Sequence, residues 1–304
     1  MTDASATVLG IDIGGTKMAA ALVAADGTIL TEDRILTPPG DADQVFAALA
    51  ELVGRVTAGT TPIAVGIGSA GPLDLTHGLV SPVNITGWRN FPLVDRVRAL
   101  VGDVPVELGV DGHCFALGES WTGAGRAVDT LLGIVVSTGV GAGIVVDGKP
   151  LLGQSGNAAH LGHMVVDLDG EACACGSYGC VETYASGPRM VARAQRRGWR
   201  TGEQVDAAVL SADAAAGDEI ALAVFDDGAQ ALAAGIVATA VTVDLTTVVI
   251  GGGVAKAGPI LFDPVGRWVK RLAQLPFVTE LTVEPAQLAN AGLLGAARLA
   301  WATT

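Results

Sequence analysis

Val8-Leu9-Gly10-Ile11-Asp12-Ile13-Gly14-Gly15-Thr16-Lys17-Met18-Ala19-Ala20-Ala21-Leu22-Val23-Ala24 is the stretch from which the fold can be read. The apolar run ending at Asp12-Ile13 reads as a short buried strand, and a second apolar run starts at Met18. Asp26-Gly27 then gives a hairpin turn signal. Asp12 to Lys17 is therefore a turn between two strands, not the strand-to-helix turn of a Walker loop. Gly14 and Gly15 let backbone N–H groups approach a phosphate closely. Thr16 adds a hydroxyl, Lys17 a charge, and Asp12 a carboxylate suited to hold magnesium through water. An ordinary glycine-rich turn with a surface lysine has the same local sequence.

The same logic recurs downstream. Thr130 to Ser137 reads as a strand, Thr138-Gly139-Val140-Gly141-Ala142-Gly143 as a glycine-rich connection, and Ile144 to Val146 as the next strand. Two such hairpins in two halves imply a duplicated α/β architecture with phosphate held between them. A third glycine site, Gly251-Gly252-Gly253, follows the buried strand Thr246 to Ile250 and opens toward a helix. It can seat a base or ribose against bare backbone. Helices are expected over Asp41 to Ala58, Leu93 to Leu100, Gly112 to Thr122, from Pro188, around Ser211 to Asp218, Glu219 to Val243 and Ala291 to Trp301. Further strands are expected over Pro62 to Ser69, Val104 to Leu108 and Val278 to Val283.

His163, Cys173, Cys175 and Cys180 lie in one glycine-broken segment that holds three of the chain's four cysteines. Zinc takes four nitrogen or sulfur ligands in a tetrahedron, and Cys3His is a standard structural set. Gly176 and Gly179 can turn Cys180 back toward the other two thiols. The remaining thiol, Cys114, reads as a small packed hydrophobe. With three thiols assigned to metal no disulfide framework remains, which fits a reducing, cytoplasmic setting.

The 304 residues suffice for one large or two ordinary domains. Forty-two glycines and only 4% aromatics point to tight turns and a core of Ala, Val, Leu and Ile. The net charge of -13 opposes wrapping nucleic acid, which needs a basic face. No run approaches the roughly 20 uncharged apolar residues of a membrane helix, and the first residues lack a signal-peptide pattern. Two positions carry further chemistry. The strand ending at Ser69 leads into a loop containing Gly71, and Asn84 lies further along it. Strand ends of open α/β sheets are where ligands collect. Asn84 suits a sugar hydroxyl or a plain turn. Asp111 begins a helix, where the dipole and free N–H groups keep a carboxylate ionised.

Together these motifs resemble the ROK family of the actin-like ATPase superfamily, from Val8 to Ala300. Asp12-Ile-Gly-Gly-Thr-Lys17 and Ser137-Thr138-Gly139-Val-Gly141-Ala-Gly143 match its two phosphate motifs, and Ile250-Gly251-Gly252-Gly253 its adenosine motif. Gly162-His163 with Cys173-x-Cys175-Gly-x-x-Gly-Cys180-x-Glu182 matches its zinc signature. The resemblance implies a ribonuclease H-like, two-domain α/β fold with an interdomain active-site cleft. Residues 1–112 would form the N-terminal domain, with a C-terminal helix at about 290–304 packing back on it. Residues 113–289 would form the larger domain carrying the zinc loop. It implies a homodimer with no nucleic-acid or membrane partner.

The implied reaction is transfer of the γ-phosphoryl of ATP, with Mg2+, to a hexose hydroxyl, usually at C6. Asp111 would be the general base, Zn2+ would be structural, and His163 and Glu182 would face the sugar. Two departures concern the sugar site. The family's usual Asn-Asp-Ala-Asn is Val110-Asp111-Gly112-His113 here, and the Glu two residues before Gly-His is His160. These changes read as drift in a glucokinase or as a site for an amino sugar such as kanosamine (3-amino-3-deoxyglucose). A sugar-sensing repressor of the family would need a DNA-binding domain ahead of the first strand. A non-catalytic sugar binder is opposed by the complete phosphate motifs and Asp111.

Overall fold

The computed structural model describes residues 6–82, 84–202 and 204–304. The chain runs β1 (Val8–Ile13), β2 (Lys17–Val23), β3 (Ile29–Leu36), α1 (Ala42–Thr57) and β4 (Val65–Ser69). A short ribbon follows, β5 (Leu73–Asp74) and β6 (Leu79–Val80), then α2 (Leu93–Val101), β7 (Val106–Val110) and α3 (Asp111–Thr122). Next come β8 (Thr130–Val136), β9 (Val140–Val146), β10 (Lys149–Pro150), α4 (Val181–Ala185), α5 (Gly187–Arg196) and α6 (Ala207–Ala215). The last elements are α7 (Glu219–Val243), β11 (Thr247–Gly251), α8 (Pro259–Leu272), β12 (Thr282–Pro285) and α9 (Ala291–Trp301).

Two five-stranded sheets have the orders β3-β2-β1-β4-β7 and β10-β9-β8-β11-β12. In the first, β1, β2 and β3 form an antiparallel meander, and β4 and β7 add parallel to β1. The second repeats the order strand for strand, so the duplication implied by the two hairpins is real. The chain divides into two compact units. One holds the described residues up to Ala127, together with Gly143–Ala159 and Leu288–Thr304; the other holds Val128–Ala142 and His160–Gln287.

In the first unit the two-residue period of the strands sorts side chains onto two faces. Leu9, Ile11, Ile13, Met18, Ala20 and Leu22 join the core built with α1 and α2. Val8, Ala19, Ala21 and Val23 face α9, through Leu293, Leu294, Ala297 and Ala300. Each such leucine contributes about 1.5–3 kcal/mol by leaving water. The approach of α9 is close: a Cβ on Gly295 would stand 1.6 Å from the Cys114 carbonyl oxygen, so only glycine fits. Helix α1 opens with a capping box, Asp41 accepting from Gln44 N and Gln44 from Asp41 N.

In the second unit α7 is central. By length and composition it could cross a membrane, but Val224, Phe225, Leu232 and Ile236 are buried among α4, α5, α6 and α8. Two expectations change. The strand expected at Val278 to Val283 is a 3-10 turn at Pro276–Val278 followed by β12, because Val278 N donates to Leu275 O instead of a ladder partner. The glycine triplet opens into a 3-10 turn, Val254–Ala257, before α8 begins.

Candidate functional site

The first unit carries the acidic half of the machinery. The β1–β2 turn is closed by Gly14 N donating to Lys17 O at 3.0 Å. Thr37, just past β3, braces it twice: its Oγ1 donates to Gly14 O at 2.7 Å and its N–H to Thr16 O at 3.0 Å. Thr16 and Lys17 are exposed at the tip. Gly15 is pressed against Asn84, whose Cβ would lie 2.3 Å from a Cβ on residue 15. The turn and the Asn84 loop are thus one surface. Gly71 sits in the loop after β4, joined to Pro72 by a cis peptide.

Asp12 and Asp111 interact electrostatically. Burial pushes the Asp12 carboxyl up from 3.8 to about 6; the Asp111 charge pushes the same way and Lys17 pulls back. Asp12 also lies against the first turn of α9, where a Cβ on Gly292 would be 3.2 Å from its Oδ2. Asp111 is exposed at the start of α3, and its Oδ1 accepts from Gly112 N at 2.7 Å. The helix cap is Val110 rather than Asp111, which is the first helical residue. An exposed carboxylate at the start of a helix, within electrostatic reach of a second carboxylate, is the arrangement of a base beside a cation-seeking neighbour.

Val110 does not present itself to a ligand. It is 6% exposed and belongs to the apolar core with Val106 and Val97. The sequence offered no sign of this, because the residue sits between a strand end and a polar helix start.

The second unit carries an uncharged hairpin. Ser137 N donates to Gly139 O, and Gly187 N at the start of α5 donates to Ser137 O, both at 2.8 Å. The turn is shorter than the glycine run implies, since Gly141 lies within β9 and only Ser137, Thr138 and Gly139 form the loop. Glu182, expected to face a sugar, has Oε2 accepting from Val140 N at 2.9 Å. A Cβ on Gly139 would come within 2.7 Å of the same oxygen. One side of that carboxylate therefore holds the hairpin. A cavity of about 490 Å³ is lined by Ser137, Thr138 and Gly253 with Pro188, Val191 and Gln195 of α5 and Asp206, the cap of α6. Within that triplet, Gly252 takes a left-handed φ of 96° against the Val136 carbonyl, and Gly251 ends β11. The fold thus brings the second hairpin and the glycine triplet to one cavity, with walls from α5 and α6 that no motif announced.

The four candidate metal ligands converge. The ligand atoms of His163, Cys173, Cys175 and Cys180 all lie within 4.8 Å of one another. Cys173 Sγ is 3.7 Å from His163 Nδ1, and Cys175 Sγ 3.7 Å from Cys180 Sγ. A tetrahedron with Zn–S bonds of about 2.3 Å has edges of roughly 3.8 Å, so the donor set fits zinc in spacing and in kind. Gly176 and Gly179 both have positive φ, 93° and 59°, making the reversal. Burial and the neighbouring thiols push the Cys180 thiol up, while the Ser177 backbone N–H and the Cys173 thiol pull the exposed Cys175 thiol down. His160 is exposed, its ring 6.2 Å from that of His163.

Cys114 is fully buried and its thiol is held well above its ordinary range by burial, so it is packing material. Glu119 was missed by sequence reasoning. Fully buried on α3, it accepts from Ala124 N and Leu288 N, both at 2.9 Å, and fixes where the chain re-enters the first unit. A lone acid within the apolar run of α3 was the available signal.

Residues 8–303 match the ROK family. The chain is 36% identical to the glucokinase of Thermotoga maritima, over 96% of each protein. It is 38% identical to the N-acetylmannosamine kinase of Yersinia pseudotuberculosis, over 97% of this chain and 98% of that protein. Its structure superposes with a TM-score of 0.83 on a ROK family glucokinase from Streptomyces griseus in complex with glucose and AMPPNP. That pair is 36% identical, over 97% of this chain and 99% of that one. The two repeated sheets are those of the actin-like ATPase fold, and the chain belongs to the ROK family.

Proposed function

We infer that this chain is an ATP-dependent sugar kinase, transferring the γ-phosphoryl of ATP to the 6-hydroxyl of glucose or of a glucose-like amino sugar such as kanosamine. The observation that carries the reading is the Asp12–Asp111 pair: an exposed carboxylate at a helix start beside a carboxylate raised to about 6. Asp111 takes the proton of the attacking hydroxyl. The new bond forms between that oxygen and the γ-phosphorus, and the bond to the β–γ bridging oxygen breaks, releasing ADP. Asp12, Gly14, Gly15, Thr16, Lys17, Ser137, Thr138 and Gly139 are the groups for the phosphates, and Gly251, Gly252 and Gly253 for the adenosine. Mg2+, held through Asp12, would neutralise phosphate charge. Positioning and neutralisation dominate such transfers.

Zn2+ on His163, Cys173, Cys175 and Cys180 would be structural, shaping the loop that ends at Glu182. Gly71, Asn84, Asp111, His160, His163 and Glu182 are assigned to the sugar. The relatives named for glucose and for N-acetylmannosamine support a hexose-type acceptor. The burial of Val110 favours an ordinary glucokinase over a dedicated amino-sugar kinase at that position, which leaves His160 as the remaining candidate determinant. A cytoplasmic homodimer is the expected form, to be checked by light scattering.

The test is ADP release with ATP and magnesium over glucose, mannose, fructose, N-acetylmannosamine, glucosamine and kanosamine, with Asp111→Asn beside it. One preferred sugar whose turnover is abolished in the variant supports the reading. Turnover that survives in the variant removes Asp111 from its role, and ATP binding without turnover on any sugar points to a sensor.

A further inference from the structure

The loop after β10 ends in an unusual backbone. Ala159 has a left-handed φ of 63°, a conformation costly to any residue with a Cβ. Glycines take the same region earlier in the loop, Gly153 at 69° and Gly156 at 81°. Between Ala159 and His160 the chain leaves the first compact unit for the second. A strained backbone persists only when its surroundings over-determine it.

Here the surroundings are specific. His113 is fully buried on α3, and its Nε2 is 3.0 Å from the Ala158 carbonyl oxygen. A carbonyl only accepts, so Nε2 carries the proton. Upstream, the loop is held by Leu75, whose side chain fills the space beside Gly156, and by Asn157 Nδ2 donating to Ser155 O at 3.0 Å. His113 stands two residues beyond Asp111 on the same helix, and Ala158 two residues before His160.

We propose that His113 is a positioning residue for sugar recognition: its hydrogen bond to Ala158 holds Ala159 in the left-handed region and thereby fixes the backbone from which His160 is presented. The proposal rests on the sugar-kinase reading and adds to it a determinant that touches no substrate. It ties the helix that begins at Asp111 to the loop that leads into His160.

The experiment is a double-mutant cycle on the full-length, zinc-loaded protein with His113→Leu, Ala159→Gly and the pair. Each variant is assayed for sugar KM, ATP KM, kcat and backbone hydrogen exchange over 151–163. His113→Leu should raise sugar KM about tenfold, the scale of one hydrogen bond lost, with ATP KM unchanged. Exchange over 151–163 should rise. With glycine at 159 the left-handed backbone needs no clamp, so the same substitution should raise sugar KM by no more than about twofold. His113→Gln, which offers a donor near the Nε2 position, should restore sugar KM.

An equal effect of His113→Leu in both backgrounds overturns the proposal, as does a fall in kcat with sugar KM unchanged, which would mean that the substitution acts through Asp111. If His113→Leu does not fold, His113→Asn, whose shorter amide withdraws the donor, runs the same cycle. If the wild-type protein turns over no sugar, the kinase reading has failed on its own. The exchange data then still decide whether the clamp exists.

Discussion

The β1–β2 turn and the β8–β9 turn occupy the same position in two sheets of the same strand order, and their chemistry differs. The first carries Asp12 and Lys17 and lies within electrostatic reach of Asp111. It is braced by a neutral threonine, Thr37. The second carries only Ser137, Thr138 and Gly139, is braced by the carboxylate of Glu182 through Val140 N, and opens on a cavity of about 490 Å³. In one copy the charge is at the working surface; in the other it is behind the turn. Duplication supplied two turns at one position in the sheet, and their side chains differ: charged groups in the first, neutral groups and a cavity in the second.

The sharpest way to separate the two regions is chelation, which acts on the candidate zinc loop of the second unit alone. Structural zinc contributes roughly 10–16 kcal/mol of apparent binding in small peptides. Chelation should release one zinc per chain by elemental analysis and raise hydrogen exchange across 163–180. Amides of 12–18 in the first turn should keep their protection; equal loss in both would break the division. Next in size is Asp111→Asn, which should lower kcat about 10²–10⁴-fold with ATP KM and melting temperature retained. A comparable kcat loss from Ser137→Ala would show that the neutral turn also does chemistry.

Glu182→Ala strips the acceptor from Val140 N and should cost about 1–3 kcal/mol in chemical denaturation. Glu182→Gln, which keeps an oxygen there, should cost less. The smallest effect concerns pH. The folded pKa of Asp12 is raised from 3.8 to about 6, so the folded state binds more protons than the unfolded one between those values. Stability from this group is present below pH 3.8 and is lost as pH rises through about 6. Asp12→Asn should therefore stabilise the magnesium-free protein by about 1–2 kcal/mol at pH 8 and not at pH 4. No gain at pH 8 would remove the claim that burial, with the Asp111 charge behind it, makes the ionised Asp12 costly.

Much of the fold was legible because it rests on local periodicity. The spacing of Val45, Phe46, Leu49, Leu52, Val53 and Val56 marks the buried face of α1, and all six are buried. Helices α7 and α9 have the boundaries the pattern implies. The convergence of His163, Cys173, Cys175 and Cys180 was legible because four metal-type donors share one short, glycine-broken segment. What was hidden depends on partners distant in sequence. Thr37 reads as a strand-end threonine until the turn is folded against it. Gln195 on α5 and Asp206 at the cap of α6 belong to no motif, and they share a wall only once α5 and α6 are folded together. Val110 stands where the family motif has a sugar-binding Asn, although its own side chain is buried in the core.

Helix α9 has a bearing on synthesis. The strands at the start of the chain keep one face bare until Leu293, Leu294, Ala297 and Ala300 arrive at the other end. A ribosome adds about 5–20 residues per second, so roughly 170 residues from β8 onward leave that face open for on the order of 10–40 s. The half of the protein made first is therefore the half completed last. A nascent chain broken off before α9 carries an uncovered sheet, a ready mark for chaperones and proteases that a finished chain no longer shows.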